Sequence, residues 1–135
     1  MRDAAGTLEV LIVDDSDKFA EALENFVAEI DDARIFRAAT AAEGLARAHE
    51  LRPAVVLVDI VLPDRSGIEL IRRLVAELDG IDVIAMTFHD DPAYARSALE
   101  AGARAFIVKP RLMNDLHDVL VAIRARRNAE AADRS

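Results

Sequence analysis

The sequence predicts an α/β protein: a three-layer, doubly wound, five-stranded parallel sheet assembled as (βα)5. Three observations predict it. Short aliphatic runs recur at near-regular intervals, and several are too unbroken for a strand with one wet face. Stretches with apolar residues at helical spacing separate them. Capping residues stand where one pattern gives way to the other. The length of 135 residues suits one domain, for which roughly 100–200 residues is usual. A hydrophobic share of 53% is enough to bury a core.

The strands are expected at Leu8–Val13, Ala33–Ala38, Ala54–Val58, Ile81–Met86 and Ala105–Val108. Between the first two, Phe19, Leu23, Phe26, Val27 and Ile30 fall on one helical stripe. Ile68, Ile71, Leu74, Val75 and Leu78 repeat that pattern, as do Leu112, Leu116, Val119, Leu120 and Ile123. Thr40 with Glu43, and Ser66 with Glu69, read as capping boxes. Asp91-Pro92 reads as an N-cap followed by a proline in the first turn. Gly80 and Gly102 stand where helices should stop in a left-handed residue. The folded domain is expected over residues 8–127, with loose ends at 1–7 and 128–135.

Composition excludes several functions. The chain has 17 basic and 25 acidic residues, a net charge of −8. Such a field does not hold nucleic acid or an anionic membrane. Cysteine is absent, so there is no disulfide framework, no thiolate zinc site and no thiol nucleophile. No apolar run reaches the roughly 18 residues of a membrane span, and the first residues lack the apolar core of a secretory signal. The expectation is a soluble cytoplasmic protein.

In doubly wound sheets ligands bind beyond the carboxyl ends of the strands, near the reversal of strand order. Four of the five predicted ends carry polar groups: Asp14-Asp15, Asp59, Thr87 and Lys109-Pro110. Three carboxylates at one edge repel each other unless a cation neutralises them. Oxygen ligands without His or Cys favour a hard cation, Mg²⁺ above Zn²⁺. Lys109 offers a point charge to a phosphoryl oxygen, and Thr87 a hydroxyl. A carboxylate nucleophile, a metal, an ammonium and a hydroxyl together suit phosphoryl transfer to an aspartate. The chain has two lysines, Lys18 and Lys109, against fifteen arginines. A lysine at a strand end is therefore a chemical choice rather than a generic source of charge. His49 and His117 lie in helical patterns without a second ligand at metal spacing and read as surface residues.

These residues resemble the receiver domain of bacterial two-component response regulators. The likeness runs from about Leu8 to Arg127 and rests on Val13-Asp14-Asp15, Val58-Asp59, the loop Pro63 to Gly67, Met86-Thr87, Ala101-Gly102-Ala103 and Phe106 to Pro110. It implies the flavodoxin-like strand order 2-1-3-4-5. It implies that Asp59 is the phosphoacceptor, charged by a sensor histidine kinase, a histidine phosphotransfer protein or a small phosphodonor. Asp14, Asp15, Asp59 and the Val61 backbone carbonyl would hold Mg²⁺. Lys109 would pair with the phosphoryl group, and its peptide bond to Pro110 would be cis. Thr87 would move toward the phosphoryl group and Phe106 would turn inward behind it. The shift would be read on the face of the fourth helix, fifth strand and fifth helix by an output domain, an effector protein or a second copy of the chain. The domain would be an assisting phosphoacceptor rather than an enzyme, either alone or as the start of a transcriptional regulator. The first helix, with Glu21, Glu24, Asn25 and Ala28 exposed, would meet the kinase.

Other readings compete. A haloacid-dehalogenase-type phosphatase needs a second aspartate two residues after the first, where this chain has Val61. A P-loop is absent, and acid stands after the first strand where phosphates would want glycine. The residues after the last helix are too few for a helix-turn-helix module, and Arg124, Arg126 and Arg127 read as a helix-end charge cluster or the start of a linker. A phosphorylation-independent pseudo-receiver is the remaining alternative. Phe106 lacks the hydroxyl that would hold an inward ring. The resemblance implies that Val61 and His89 would flank the approach of hydrolytic water, which an apolar Val61 cannot orient. The Val61→Asn variant is therefore expected to keep the fold and change the dephosphorylation rate; equal phosphoryl half-lives in variant and wild type would overturn this.

Overall fold

A computed structural model describes residues 7–30 and 32–134. The elements are β1 (Leu8–Val13), α1 (Asp17–Ile30), β2 (Ala33–Ala38), α2 (Ala41–Leu51), β3 (Val55–Asp59), α3 (Gly67–Glu77), β4 (Asp82–Thr87), α4 (Pro92–Ala101), β5 (Ala105–Val108), a 3-10 turn at Lys109–Arg111, and α5 (Leu112–Arg134). The strands form one parallel sheet in the order β2-β1-β3-β4-β5. This is the doubly wound, flavodoxin-like arrangement. β3 and β4 each lie one residue later than the aliphatic runs indicate, so each ends on its polar residue.

Strand alternation sorts the core into two layers. Val10, Ile12, Leu57, Ile84 and Met86 face Leu23 and Val27 of α1 and Leu112, Leu116, Leu120 and Ile123 of α5. Leu11, Val13, Val56, Val58, Val83 and Ala85 face α2, α3 and α4. All of β3 and β4 is buried, as expected for strands covered on both faces. Each fully buried aliphatic contributes about 1.5–3 kcal/mol, so the two central strands anchor the fold. The α3 stripe differs from its sequence reading. Leu70, Ile71, Leu74 and Leu78 are buried, whereas Val75 is 41% exposed on the shoulder of the helix.

The caps hold the loops that build the carboxyl-end surface. Thr40 Oγ1 accepts from Glu43 N at 3.0 Å, while the Glu43 carboxylate accepts from Ala39 N at 2.8 Å, one residue before the box position. Asp64, from the β3–α3 loop, accepts from Ala41 N and Ala42 N at 2.8 and 3.0 Å and so caps α2 from outside. Those two N–H groups hold the Asp64 carboxyl below its ordinary pKa. Ser66 caps α3 through Ile68 N at 3.1 Å; Glu69 faces Arg65 at 3.8 Å instead of closing a box. Asp91 and Pro92 start α4 as expected, with Asp91 accepting from Ala93 N at 2.9 Å. Gly102 ends α4 at φ +114°, where a side chain would be strained. Gly80 has positive φ but sits in the turn after α3, whose C-cap is the extended Leu78.

The last helix runs to Arg134 rather than stopping at Arg127, so residues 128–134 are helical and not a loose end. Ala, Glu and Arg are strong helix formers, and Arg126 pairs with Glu130 one turn on at 3.0 Å. Met1–Gly6, Asp31 and Ser135 lie outside the described residues, as does the side chain of Ile30 from the expected α1 stripe. The basic cluster on α5 has a structural role. Buried Asp82, at the start of β4, receives Arg104 Nε at 2.7 Å, Arg127 Nη1 at 3.3 Å and the Arg126 guanidinium. Arg127 also donates to Gly80 O at 2.8 Å, and Arg124 to Asp32 O at 3.0 Å.

Gly67 fixes α3 against the end of β3. Its N–H donates to Ile60 O at 2.9 Å, and a Cβ there would lie 2.2 Å from Asp59 O and 2.5 Å from Ile60 Cα. Both neighbours are backbone, so neither can give way. Gly67→Ala is expected to destabilise the fold by about 2–3 kcal/mol in urea denaturation. A change under about 0.5 kcal/mol, the size of an ordinary surface substitution, would contradict this close approach.

Candidate functional site

Strand register brings the predicted residues together. Val13 pairs with Val58 where the strand order reverses, so Asp14 and Asp59 follow side by side. Thr87 pairs with Val108, so Lys109 follows from the next strand. They line a cavity of about 300 Å³ together with Asp15, Ser16, Val61, Leu62, Pro63, Phe88 and His89.

Lys109 lies at the centre, with its side chain only 3% exposed. Its Nζ donates to Asp59 Oδ2 at 2.9 Å. It also lies 2.6 Å from Asp14 Oδ2, an ion-pair contact outside hydrogen-bond geometry, so that buried oxygen has no hydrogen bond. Asp14 Oδ1 accepts from Ser16 N at 2.8 Å, and Asp59 Oδ1 from Val61 N at 2.9 Å. Burial pushes the Asp59 carboxyl above its ordinary pKa, against the lowering effects of Lys109 and the Val61 N–H. Burial alone would lower Lys109, but the flanking Asp14 and Asp59 carboxylates outweigh it and hold the ammonium above its ordinary value.

The residues fit a hard divalent cation. Carboxylate oxygens of Asp14, Asp15 and Asp59 lie within 4.8 Å of one another. Asp14 Oδ2 is buried without a hydrogen bond, and exposed Asp15 makes no hydrogen bond or ion pair with the described residues. An all-oxygen donor set that leaves room for water is the kind Mg²⁺ takes.

Thr87 is fully buried, and its Oγ1 accepts from His89 N at 3.2 Å. His89 is exposed, its ring 5.8 Å from that of Tyr94. Val61 is 51% exposed and lines the cavity, and its residue bridges back to Ser66 across the loop. Phe106 is half-buried against the α2–α4 side of the core and does not line the cavity. His49 Nε2 meets Glu77 Oε1 at 2.7 Å between α2 and α3, and His117 is exposed.

One expectation fails. The Lys109–Pro110 peptide bond is trans, as no peptide bond among the described residues is cis. Pro110 lies in the first turn of the 3-10 segment, where its fixed φ is at home, and trans is the lower-energy form of an X–Pro bond. Two residues of the site went unnoticed in the sequence as such. The rings of Phe19 and Phe88 lie 4.3 and 4.9 Å from Lys109 Nζ. Phe19 reads as a plain stripe residue of α1. Its signal, an aromatic four residues after the acidic strand end, is not distinctive, and Phe88 carries none beyond following Thr87.

The sequence profile described as "Response regulator receiver domain" matches residues 10–121. The chain belongs to the response regulator receiver family. Among curated relatives of this receiver, the response regulator GacA of Pseudomonas protegens is 32% identical over 110 residues, covering 81% of this chain and 52% of that protein. The receiver thus spans about half the length of the curated relatives it matches. A receiver domain protein from Methanospirillum hungatei, described as CheY-like, superposes with a TM-score of 0.81 at 30% identity, covering 92% of this chain and 98% of that one. A LuxR-family two-component response regulator from Aurantimonas gives 0.83 at 26% identity, over 95% and 98%. Phosphorylation-dependent switching and Mg²⁺ binding at an acidic pocket are general to this family. No helix among the described residues is long and apolar enough to cross a membrane.

Because the exposed Asp15 side chain makes no hydrogen bond or ion pair among the described residues, it isolates the metal. Mg²⁺ at about 100 times its Kd should stabilise the wild type by about 2.7 kcal/mol, seen as a melting-temperature rise of several degrees. The Asp15→Asn variant, with one fewer of three mutually repelling carboxylates, should melt at or above metal-free wild type and lose most of that rise on adding Mg²⁺. An undiminished rise in the variant would remove Asp15 from the metal site.

Proposed function

We propose that this receiver is a phosphorylation-dependent switch whose phosphoacceptor is Asp59. One observation carries the reading: Asp14, Asp15, Asp59, Thr87 and Lys109 converge in one cavity from four strand ends. A carboxylate oxygen of Asp59 attacks phosphorus, and the donor's bond to phosphorus breaks. Asp14, Asp15, Asp59 and the Val61 carbonyl are the residues to hold Mg²⁺, which when bound neutralises charge on the acidic edge and the phosphoryl oxygens.

The chain's own residues account for the rest. The Val61 N–H orients Asp59 by holding Oδ1, leaving Oδ2 toward the ammonium. Lys109 gives that oxygen a positive neighbour before transfer and the phosphoryl oxygens one afterwards. The Thr87 hydroxyl, held by His89 N, lies on the neighbouring strand and turns to donate to a phosphoryl oxygen. That movement opens space beside β5 for Phe106 and biases the α4-β5-α5 face. Val61 and His89 tune how long the phosphoryl group lasts. The donor is a sensor histidine kinase or phosphotransfer protein that docks on α1 near Glu21, Glu24, Asn25 and Ala28. The output is an effector, a second copy or an attached domain, as the LuxR-family likeness and the longer relatives suggest. The receiver itself contacts neither nucleic acid nor membrane, and it acts in the cytoplasm.

Intact mass after incubation with acetyl phosphate tests the reading. Wild type should gain one phosphoryl group with Mg²⁺ and none without it, and Asp59→Asn should gain none. A folded wild type that gains nothing would favour a phosphorylation-independent binding module. Gain by Asp59→Asn would place the acceptor elsewhere.

A further inference from the structure

Lys109 is desolvated more thoroughly than its two carboxylates explain. A lysine ammonium has three N–H donors that need an environment. Asp14 and Asp59 cover one side. The other side is covered by Phe19 and Phe88, at 4.3 and 4.9 Å from Nζ. The rings meet edge to face, 6.1 Å apart at 65°, so they form one aromatic unit. Two of the five phenylalanines in the chain thus converge on one ammonium. Phe88 is 65% exposed, an unusual place for a large apolar ring, and it belongs to no core cluster. Its burial is therefore not what holds it there.

We propose that Phe88, with Phe19, is a positioning residue that holds the Lys109 ammonium against the phosphoacceptor through its ring face. The inference rests on the reading of Asp59 as phosphoacceptor and deepens it. An aromatic face attracts a cation most strongly where water is excluded, as it is around this side chain. An aliphatic side chain of similar size would fill the space without attracting the charge. The rings also fix the ammonium on the side from which Asp59 Oδ2 is reached, so a four-carbon stem keeps one geometry. With the ring face removed, the ammonium samples other positions and meets an incoming phosphoryl group less often.

The test uses Phe88→Tyr, which keeps the face, Phe88→Leu, which keeps apolar bulk, and Phe88→Ala, which keeps neither. Because Phe88 is at the surface, all three are expected to melt close to wild type. One measurement needs no phosphorylation. With lysine labelled at the ε-carbon, the chain gives two signals, and exposed Lys18 serves as the internal reference. The Lys109 ε-protons should lie upfield of those of Lys18 in wild type and Phe88→Tyr, and should move toward them in Phe88→Leu and Phe88→Ala. The second measurement is the phosphorylation rate with acetyl phosphate and Mg²⁺. Phe88→Tyr should stay within about twofold of wild type, and both Phe88→Leu and Phe88→Ala should be slower by about fivefold to tenfold. An unmoved Lys109 signal in Phe88→Leu overturns the proposal. So does a Phe88→Leu rate equal to wild type, which would make bulk the operative property. Faster rates in Phe88→Leu and Phe88→Ala also overturn it, since the ring would then obstruct the donor. A wild type that takes no phosphoryl group overturns the Asp59 reading instead, and the Lys109 signals alone then judge whether the rings hold the ammonium.

Discussion

Two carboxylates buried side by side require a positive charge between them. Like charges 4 Å apart repel by about 4 kcal/mol at an effective dielectric near 20, and burial adds a desolvation cost to each. The Lys109 ammonium, within 2.9 Å of both Asp14 and Asp59, is what makes their proximity tolerable. The rest of the molecule serves that juxtaposition. The reversal of strand order between β1 and β3 sets the carboxylates side by side, and β5 delivers the lysine from two strands away. Gly67 lets α3 press directly on the backbone of Asp59.

The same constraint explains how the site can be responsive as well as stable. Burial raises the Asp59 carboxyl against the pull of Lys109, and the carboxylates raise the Lys109 ammonium against its own burial. Neither group is at rest in the way a surface ion pair is. A new anion or cation in the cavity changes the partners available to all three residues, and the two carboxylates are tied to the backbone at Val61 and Ser16 through hydrogen bonds of 2.9 and 2.8 Å. A local change of charge thus bears directly on the two loops that follow β1 and β3, the kind of coupling a bistable element uses.

What the sequence discloses depends on the range of the interaction. The strands are legible because β-branched runs and their polar ends are local signals, and the site follows because a doubly wound sheet gathers its carboxyl ends on one edge. Asp14, Asp15, Asp59, Thr87 and Lys109 are found this way. The pairing of Asp82 with Arg104, Arg126 and Arg127 is not legible, because nothing local joins residues more than twenty positions apart. Nor is the role of Phe19, whose helical spacing marks it as core and conceals that the same ring faces a cation. Val75 and Leu70 exchange places because a stripe read at fixed spacing leaves the shoulder positions of a helix undetermined. The Lys109–Pro110 bond shows a different limit: a family habit was carried onto a local geometry that the chain satisfies in trans.

The arginine cluster on Asp82 has a mechanical corollary. It ties the far half of α5 to the first residue of β4, whereas Thr87 closes the opposite end of β4 and Lys109 follows the same end of β5. The helix is therefore pinned at Arg126 and Arg127, two turns short of its end. Sliding of α5 along the sheet would break charged contacts to a buried carboxylate. The pairs with Asp82 thus act as a latch that fixes the register of the helix along the sheet, beside a face already packed through Leu112, Leu116, Leu120 and Ile123.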